Sequence, residues 1–244
     1  GTARECAAEI WALYRLPFTA IPRHRPSRLR FEPPRVFARA EQRWAAVVDV
    51  IAAAAKAGRP VLVGTRSIDT SEKLATRLEQ RGVNFKLLNA VRHQEEARIV
   101  EQAGQRGAVT IATNMAGRGT DIRLGEGVAQ LGGLLVIATE MHRSGRIDRQ
   151  LFGRAGRQGD PGQGILFLSC EDELLLDFLP GPLRRVLQSC LRLGWPGMKF
   201  LGVKLTRWTQ WRAERAAFRQ RFAVLKQDQW IQENLNAGRP DFGI

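Results

Sequence analysis

Between residues 58 and 170, short apolar runs alternate with segments whose apolar positions recur every three or four residues. "PVLVGT" (60–65), "VNFKLL" (83–88), "AVTIA" (108–112), "GGLLVIAT" (132–139) and "GILFLS" (164–169) each read as a strand. The polar stretches between them carry helical periodicity. Asp69, Thr70 or Ser71 can cap a helix that runs to about Arg81, where Gly82 ends it, and "HQEEARIVEQAG" (93–104) is a second helix closed by glycine. Near-continuous apolar strands separated by helices predict an α/β fold, a mostly parallel sheet covered on both faces.

The flanks have a different pattern. Residues 22–36, "PRHRPSRLRFEPPRV", hold four prolines and five arginines and predict an extended connector. A helix from about Ala40 to Ala57 follows, ended by Gly58. Past the last strand, "LPGPL" and "GWPGMKFLG" break the chain, and a long helical pattern begins near Thr206. Trp208, Trp211, Phe218, Phe222 and Leu225 form one apolar stripe along it. The simplest reading is a helix packed on its own sheet or on a neighbour; a membrane-surface or nucleic-acid role is the weaker one.

Composition narrows the class. A chain of 244 residues suits one large domain, or one with appendages. Its net charge of +14 sits mainly on the flanks: residues 1–45 carry 9 basic and 4 acidic side chains, residues 190–244 carry 10 and 4. Those flanks could meet nucleic acid, anionic lipid or an acidic partner, or could simply be a solubilising surface. Cys6, Cys170 and Cys190 are odd in number and far apart, which argues against a disulfide framework and a zinc site. No run approaches the roughly 18 apolar residues that span a bilayer, and no secretion leader is evident. The first residue is Gly1 rather than methionine, which raises the expectation of a fragment.

The chemistry concentrates in "DRQLFGRAGRQGD" (148–160), where three arginines stand among three glycines. If 145–158 is one helix, Arg146, Gln150, Arg154 and Arg157 share a band about 80° wide, beside an apolar face of Ile147, Leu151 and Ala155. Each glycine inside a helix costs about 1 kcal/mol relative to alanine, so two of them suggest a close-passing backbone or ligand. The guanidinium is always charged and grips phosphate oxygens bidentately. Taken alone, the segment reads equally well as a solvated arginine face. Upstream, "TNMAGRGTDI" (113–122) follows a strand; Gly117 and Gly119 free its backbone to point N–H groups at a ligand, and Asp121 adds a carboxylate. Loops at strand carboxyl ends are where α/β domains usually take nucleotides. Neither His93 nor His142 has a partner pattern for catalysis or metal binding, and both read as structural. Glu140 and Asp148 could pair with Arg143 or Arg146, for about 0.3–0.5 kcal/mol if exposed.

These segments, with "PVLVGTRSI", "LLNAVRHQEEARIV", "GGLLVIATEMHRSGRIDRQLFGRAGRQGD" and "LSCEDEL", resemble the second nucleotide-binding domain of the SecA family, the ATPase motors of bacterial preprotein translocation. The resemblance covers nearly all of 58–176; "GTA" (1–3) and "IPRHRP" (21–26) also look like the crossing from the first motor domain and its preprotein-binding insertion. It implies a RecA-like α/β fold, a parallel sheet with helices on both faces, plus a C-terminal long helix. The implied division is 1–39 as connector from a missing first motor domain, 40–178 as the second nucleotide-binding domain and 179–244 as a helical region like the start of the family's scaffold helix.

The resemblance further implies that ATP lies between two RecA-like domains, the first supplying the phosphate loop and holding Mg²⁺. Gly119 and Asp121 would face the cleft, Arg154 and Arg157 would reach the γ-phosphate, and Asp160 would contact the nucleotide. Implied partners are a preprotein, the Sec channel, an anionic membrane surface and the first motor domain in cis or trans; nucleic acid is disfavoured. The implied location is cytoplasmic, peripheral to the inner membrane. Three departures stand out. No G-x-x-x-x-G-K-[ST] occurs, so the chain alone is expected to be inactive. Phe152 stands where the family commonly has arginine, and Met141–Gly145 replaces a run ending in arginine pairs. After Leu176 the match weakens, without the usual acidic "DDV" or a cysteine-rich zinc tail. The rival readings are the C-terminal half of a nucleic-acid helicase and a non-catalytic RecA-like regulator.

Overall fold

A computed structural model of the chain describes residues 7–22, 24–88, 99–113 and 121–237. Its elements in order are α1 (Ala7–Tyr14), β1 (Arg28–Phe31), β2 (Arg35–Phe37), α2 (Ala40–Lys56), β3 (Val61–Thr65), α3 (Ile68–Gln80), β4 (Lys86–Leu88), β5 (Val109–Thr113), β6 (Leu134–Ala138), α4 (Gly145–Phe152), a 3₁₀ turn (Arg157–Gly159), β7 (Pro161–Ser169), α5 (Glu173–Phe178), α6 (Gly181–Arg192) and α7 (Met198–Ala237). The seven strands form one sheet in the order β1-β7-β6-β3-β5-β4, with β2 also on β7. Every pairing is parallel.

The strands β3, β5 and β6 are buried at every position because alternate side chains enter two different cores. Val61 and Val63 join Trp44, Val47, Ile51, Leu74 and Leu78 beneath α2 and α3. Leu62 points the other way, with Val136, Ala138, Phe152 and Ala155 beneath α4. Burial on both faces accounts for the unbroken apolar runs in the sequence.

Capping differs from expectation at α3. The cap is Ser67, whose Oγ accepts from the Thr70 N–H at 3.1 Å; Asp69, Thr70 and Ser71 lie inside the first turn. Residues 28–37, expected as part of an extended connector, are extended and also built into the sheet through β7. Of the helix expected over 93–104, residues 99–104 are described: 99–102 are helical and 103–104 form a turn; His93 lies outside the described residues.

The long helix starts at Met198, not near Thr206. Gly194 and Gly197, at φ of +70° and +79°, turn the chain into it. Gly202, read from sequence as a break, lies within the helix where a Cβ would stand 2.9 Å from Val36 Cγ1. The face of α7 that meets the sheet domain is small and polar: Gly202, Thr206, Thr209 and Ala213. The aromatic stripe lies elsewhere, with Trp208 and Trp211 exposed. Arg212 stacks over Trp208 and Arg215 over Trp211. Among the described residues, no helix is long and apolar enough to cross a membrane.

One contact sets the height at which α4 crosses the sheet. Leu151 packs onto the backbone of β3 at Gly64, where a Cβ would overlap its Cδ2. Gly64→Ala should therefore cost about 1–3 kcal/mol through overpacking, lowering Tm by about 2–4 °C per kcal/mol in a chain of this size. Adding Leu151→Ala should make the two substitutions less than additive in thermal denaturation.

Candidate functional site

The arginine-rich stretch is not one helix. α4 ends at Phe152, Gly153 is its C-cap, and Gly156 turns the chain at φ +67°. A side chain at Gly156 would be strained by that φ and would meet Leu29 Cβ at 2.8 Å. Gln158 also has positive φ, at 55°. The expected band of Arg146, Gln150, Arg154 and Arg157 is thus broken between Gln150 and Arg154.

The turn places Arg157 at the C-terminal end of α4. Its Nε donates to the Gly153 carbonyl at 3.0 Å, and its Nη1 to Asp121 Oδ1 at 2.8 Å. Gln158 Nε2 donates to Asp121 Oδ2 at 3.2 Å. Arg25 Nη1 donates to the Gln158 carbonyl at 3.2 Å. A cation at the end of a helix is favoured by the partial negative charge of its free carbonyls. The Arg157 and Asp121 side chains are 38% and 37% exposed, so water reaches the pair.

Arg154 and Arg157 do not share a cavity. Arg157 lines a groove of about 1130 Å³ with Arg25, Arg149, Gly153 and Gln158. Arg154 lines a separate cavity of about 40 Å³ with Thr113, Ile122 and Leu151. Gln150 borders both. The smaller space holds a few waters at most. Asp160 follows the turn, its N–H bonded to the Arg157 carbonyl. Gly119 lies outside the described residues, as do Gly117 and the rest of 114–120. Asp121 and Arg157 are therefore brought together, and Asp160 lies three residues further on. All of them lie at the amino edge of the sheet, since the turn runs straight into Pro161, the first residue of β7. The expected position was the carboxyl edge.

The carboxyl edge holds a network that the sequence did not reveal. Arg43, buried in α2, donates to the Thr139 carbonyl at 2.6 Å and to Asp172 Oδ1 at 2.7 Å. Asp172 Oδ2 accepts from the Ser169 N–H at 2.8 Å. Burial pushes the Asp172 carboxyl upward, and the Arg43 guanidinium opposes it. Arg66, following β3, meets Glu173 at 2.7 Å and Glu140 at 3.8 Å. Arg143 bonds Glu173 at 2.8 Å and also Asp177. Glu140 thus pairs with Arg66, not with Arg143 or Arg146.

Asp148, also expected to pair with an arginine, is buried and bonded elsewhere. Oδ1 accepts from the His142 N–H at 3.1 Å and Oδ2 from Gln210 Nε2 at 2.7 Å. Burial raises its carboxyl to about 6, and nearby Glu214 adds to the rise. Burial, together with the Arg66 charge, lowers His142 to about 4, so its imidazole is neutral near pH 7. Burial, with Asp172 alongside, pushes the Cys170 thiol up to about 11, which makes it a poor nucleophile. Phe152 is buried, edge-on to Phe31 at 5.2 Å and against Gly164. Among the described residues, no group of three or more His, Cys, Asp or Glu could hold a metal ion.

Comparison with known proteins gives one family. The SecA P-loop domain model matches residues 30–130 and 125–192. A protein translocase subunit SecA 2 of Magnetococcus marinus is 48% identical over 235 residues, which is 96% of this chain and 36% of that protein. A protein translocase subunit SecA of Caldicellulosiruptor saccharolyticus is 44% identical over 239 residues, 98% of this chain and 28% of that protein. The chain thus spans about a third of the length of these relatives. The crystal structure of the yeast DEAD-box splicing factor Prp28 aligns with a TM-score of 0.50 at 17% identity, over 77% of this chain and 39% of that one. That likeness is one of fold, a RecA-like parallel sheet.

The two ion pairs should respond differently to truncation. Asp121→Ala should change stability by less than about 1 kcal/mol, the value of an exposed pair. Asp172→Ala should cost about 3–5 kcal/mol, because it strands the Arg43 charge in the interior; urea denaturation separates these outcomes. The fold holds Asp148 near 6 against an ordinary 3.8 and so favours the neutral acid. Its stabilising contribution is full below pH 4 and is lost as pH rises through 6. The Tm of the protein relative to Asp148→Asn should accordingly fall between pH 4 and pH 7.

Proposed function

The chain belongs to the SecA family, and from that membership we propose that it forms the second motor domain of an ATP-driven preprotein translocase. It closes an ATP site whose phosphate loop belongs to another domain. The observation that carries this reading is the state of Arg157: oriented by the Gly153 carbonyl, held at the surface by one half-exposed carboxylate, and open to a wide cationic groove. Giving up Asp121 for a phosphate costs at most about 1 kcal/mol. An arginine that neutralises charge on a transferring phosphoryl group is worth about 10³–10⁵ in rate, several times that cost.

In this reading Arg157 meets the γ-phosphate and Asp121 receives it between turnovers. Gly119 and Asp160 complete the side of the cleft contributed here, while Arg154 lines the separate small cavity beside it. The residues fit a closing surface rather than a cradle: no G-x-x-x-x-G-K-[ST] lies in the chain. Mg²⁺ would be held by the other domain and would neutralise phosphate charge there. Residues 40–178 form the motor domain, 1–39 the connector and 179–244 the start of a scaffold. The partners are a preprotein, the Sec channel and the anionic inner face of the membrane, where the protein is peripheral. The basic flanks and the aromatic and cationic face of α7 support an anionic surface.

The absence of a phosphate loop also favours a second reading, a non-catalytic regulator that docks on a separate motor. A chimera separates the two: this chain replaces the matching 36% of the Magnetococcus SecA 2. The expected result is ATP turnover in the chimera that falls at least 10²-fold in kcat with Arg157→Ala, and no turnover by the chain alone. Turnover unaffected by Arg157→Ala, or steady turnover by the isolated chain, would overturn the motor reading.

A further inference from the structure

Two side chains of the long helix reach the first turn of α4. Gln210 Nε2 donates to Asp148 Oδ2 at 2.7 Å and to the His142 carbonyl at 2.8 Å. One turn further along α7, Glu214 Oε1 accepts from the Gly145 N–H at 2.8 Å. Gly145 is the first residue of α4, so its N–H has no acceptor within the helix. Asp148 is 8% exposed, and its carboxylate spends one oxygen on the His142 N–H and the other on Gln210. A buried acceptor left without its donor keeps the penalty of its desolvation, so these bonds are expensive to lose.

α4 then carries the chain from the carboxyl edge of the sheet to the amino edge. Its eight residues span about 12 Å. Along the way Leu151 is pressed on Gly64, and Phe152 on Gly164. At its far end Gly153 starts the turn that carries Arg154 and Arg157, with Arg157 Nε on the Gly153 carbonyl. A short helix packed this closely moves as a body, because close-packed interiors transmit strain.

We infer that Gln210 and Glu214 are positioning residues for the arginine turn: they tie the start of α4 to the long helix, so that a shift of α7 against the sheet is delivered to Arg157 at the opposite edge. The role assigned to Arg157 rests on the function proposed above; the mechanical coupling does not.

The test uses the full 244-residue chain with no nucleotide. Amide hydrogen exchange is followed residue by residue, together with the ¹H–¹⁵N signal of Arg157 Nε. With Gln210→Ala plus Glu214→Ala, amides of residues 145–159 should exchange at least tenfold faster and the Arg157 signal should move. Amides of α2 and α3, on the opposite face of the sheet, should keep their rates and so report an intact fold. Glu214→Gln, which retains an acceptor for the Gly145 N–H, should leave the Arg157 signal in place. If the double substitution unfolds the chain, Glu214→Ala alone removes one tie and carries the same expectation at smaller amplitude. Faster exchange confined to α7, an unmoved Arg157 signal in a folded variant, or an equal effect from Glu214→Gln would overturn the inference. Because no ATP turnover is measured, failure of the motor reading would leave this result standing.

Discussion

Everything at the arginine turn depends on how closely α4 lies on β3. Parallel strands oblige the chain to return across a sheet face after each one, and here the return is an eight-residue helix. Gly64 lets Leu151 rest on the strand backbone, and the glycines of β7 do the same for its continuation: a Cβ at Gly162 would come within 2.8 Å of Ala155. A helix raised by one methyl would carry the Gly153 carbonyl away from the position that orients Arg157. The glycines along these strands therefore fix the placement of charge as well as packing.

The two edges of the sheet spend ionic interactions differently. At the carboxyl edge, Arg43 and Asp172 are almost fully desolvated, and each has a main-chain partner besides the other. Such a pair is weak evidence of net stability, yet breaking it is costly. It holds α2, β6 and the segment after β7 in one arrangement. At the amino edge, Asp121 and Arg157 are wet enough to separate for little. One pair is a fixture and the other is exchangeable, and burial, more than distance, makes the difference: the pairs measure 2.7 and 2.8 Å.

The strands of the central sheet were legible because burial on both faces leaves an unbroken apolar run. β1 was not legible, since "RLRF" is a mostly exposed edge strand whose side chains say little about pairing. The arginine segment was placed correctly in order but wrongly in shape: a helical wheel has no means of seeing that Gly156 takes a left-handed conformation. The packing face of α7 was hidden by the opposite bias. Large aromatics dominate a periodicity argument, whereas contact with the sheet domain is made by Gly202, Thr206, Thr209 and Ala213, which are small enough to let the elements approach. The bonds from Gln210 and Glu214 lie 62 and 69 residues from their partners, and no local pattern encodes them.

At the carboxyl edge, the described ends of β3, β6 and β7 are occupied by this chain's own side chains. Open α/β sheets usually take ligands there, because helix N-termini and their free N–H groups gather on that side. In this chain Glu214 already occupies the Gly145 N–H at the start of α4, and the arginine–carboxylate network fills the ends of β3, β6 and β7. The amino edge is the pole of helix C-termini, where exposed carbonyls repel phosphate. Arginine overcomes that repulsion and, at Arg157, ties down the end of α4 as well. A surface of this kind can deliver positive charge to a phosphate held by something else. Among the described residues that edge offers arginine side chains, and a site shared with another domain would draw on them.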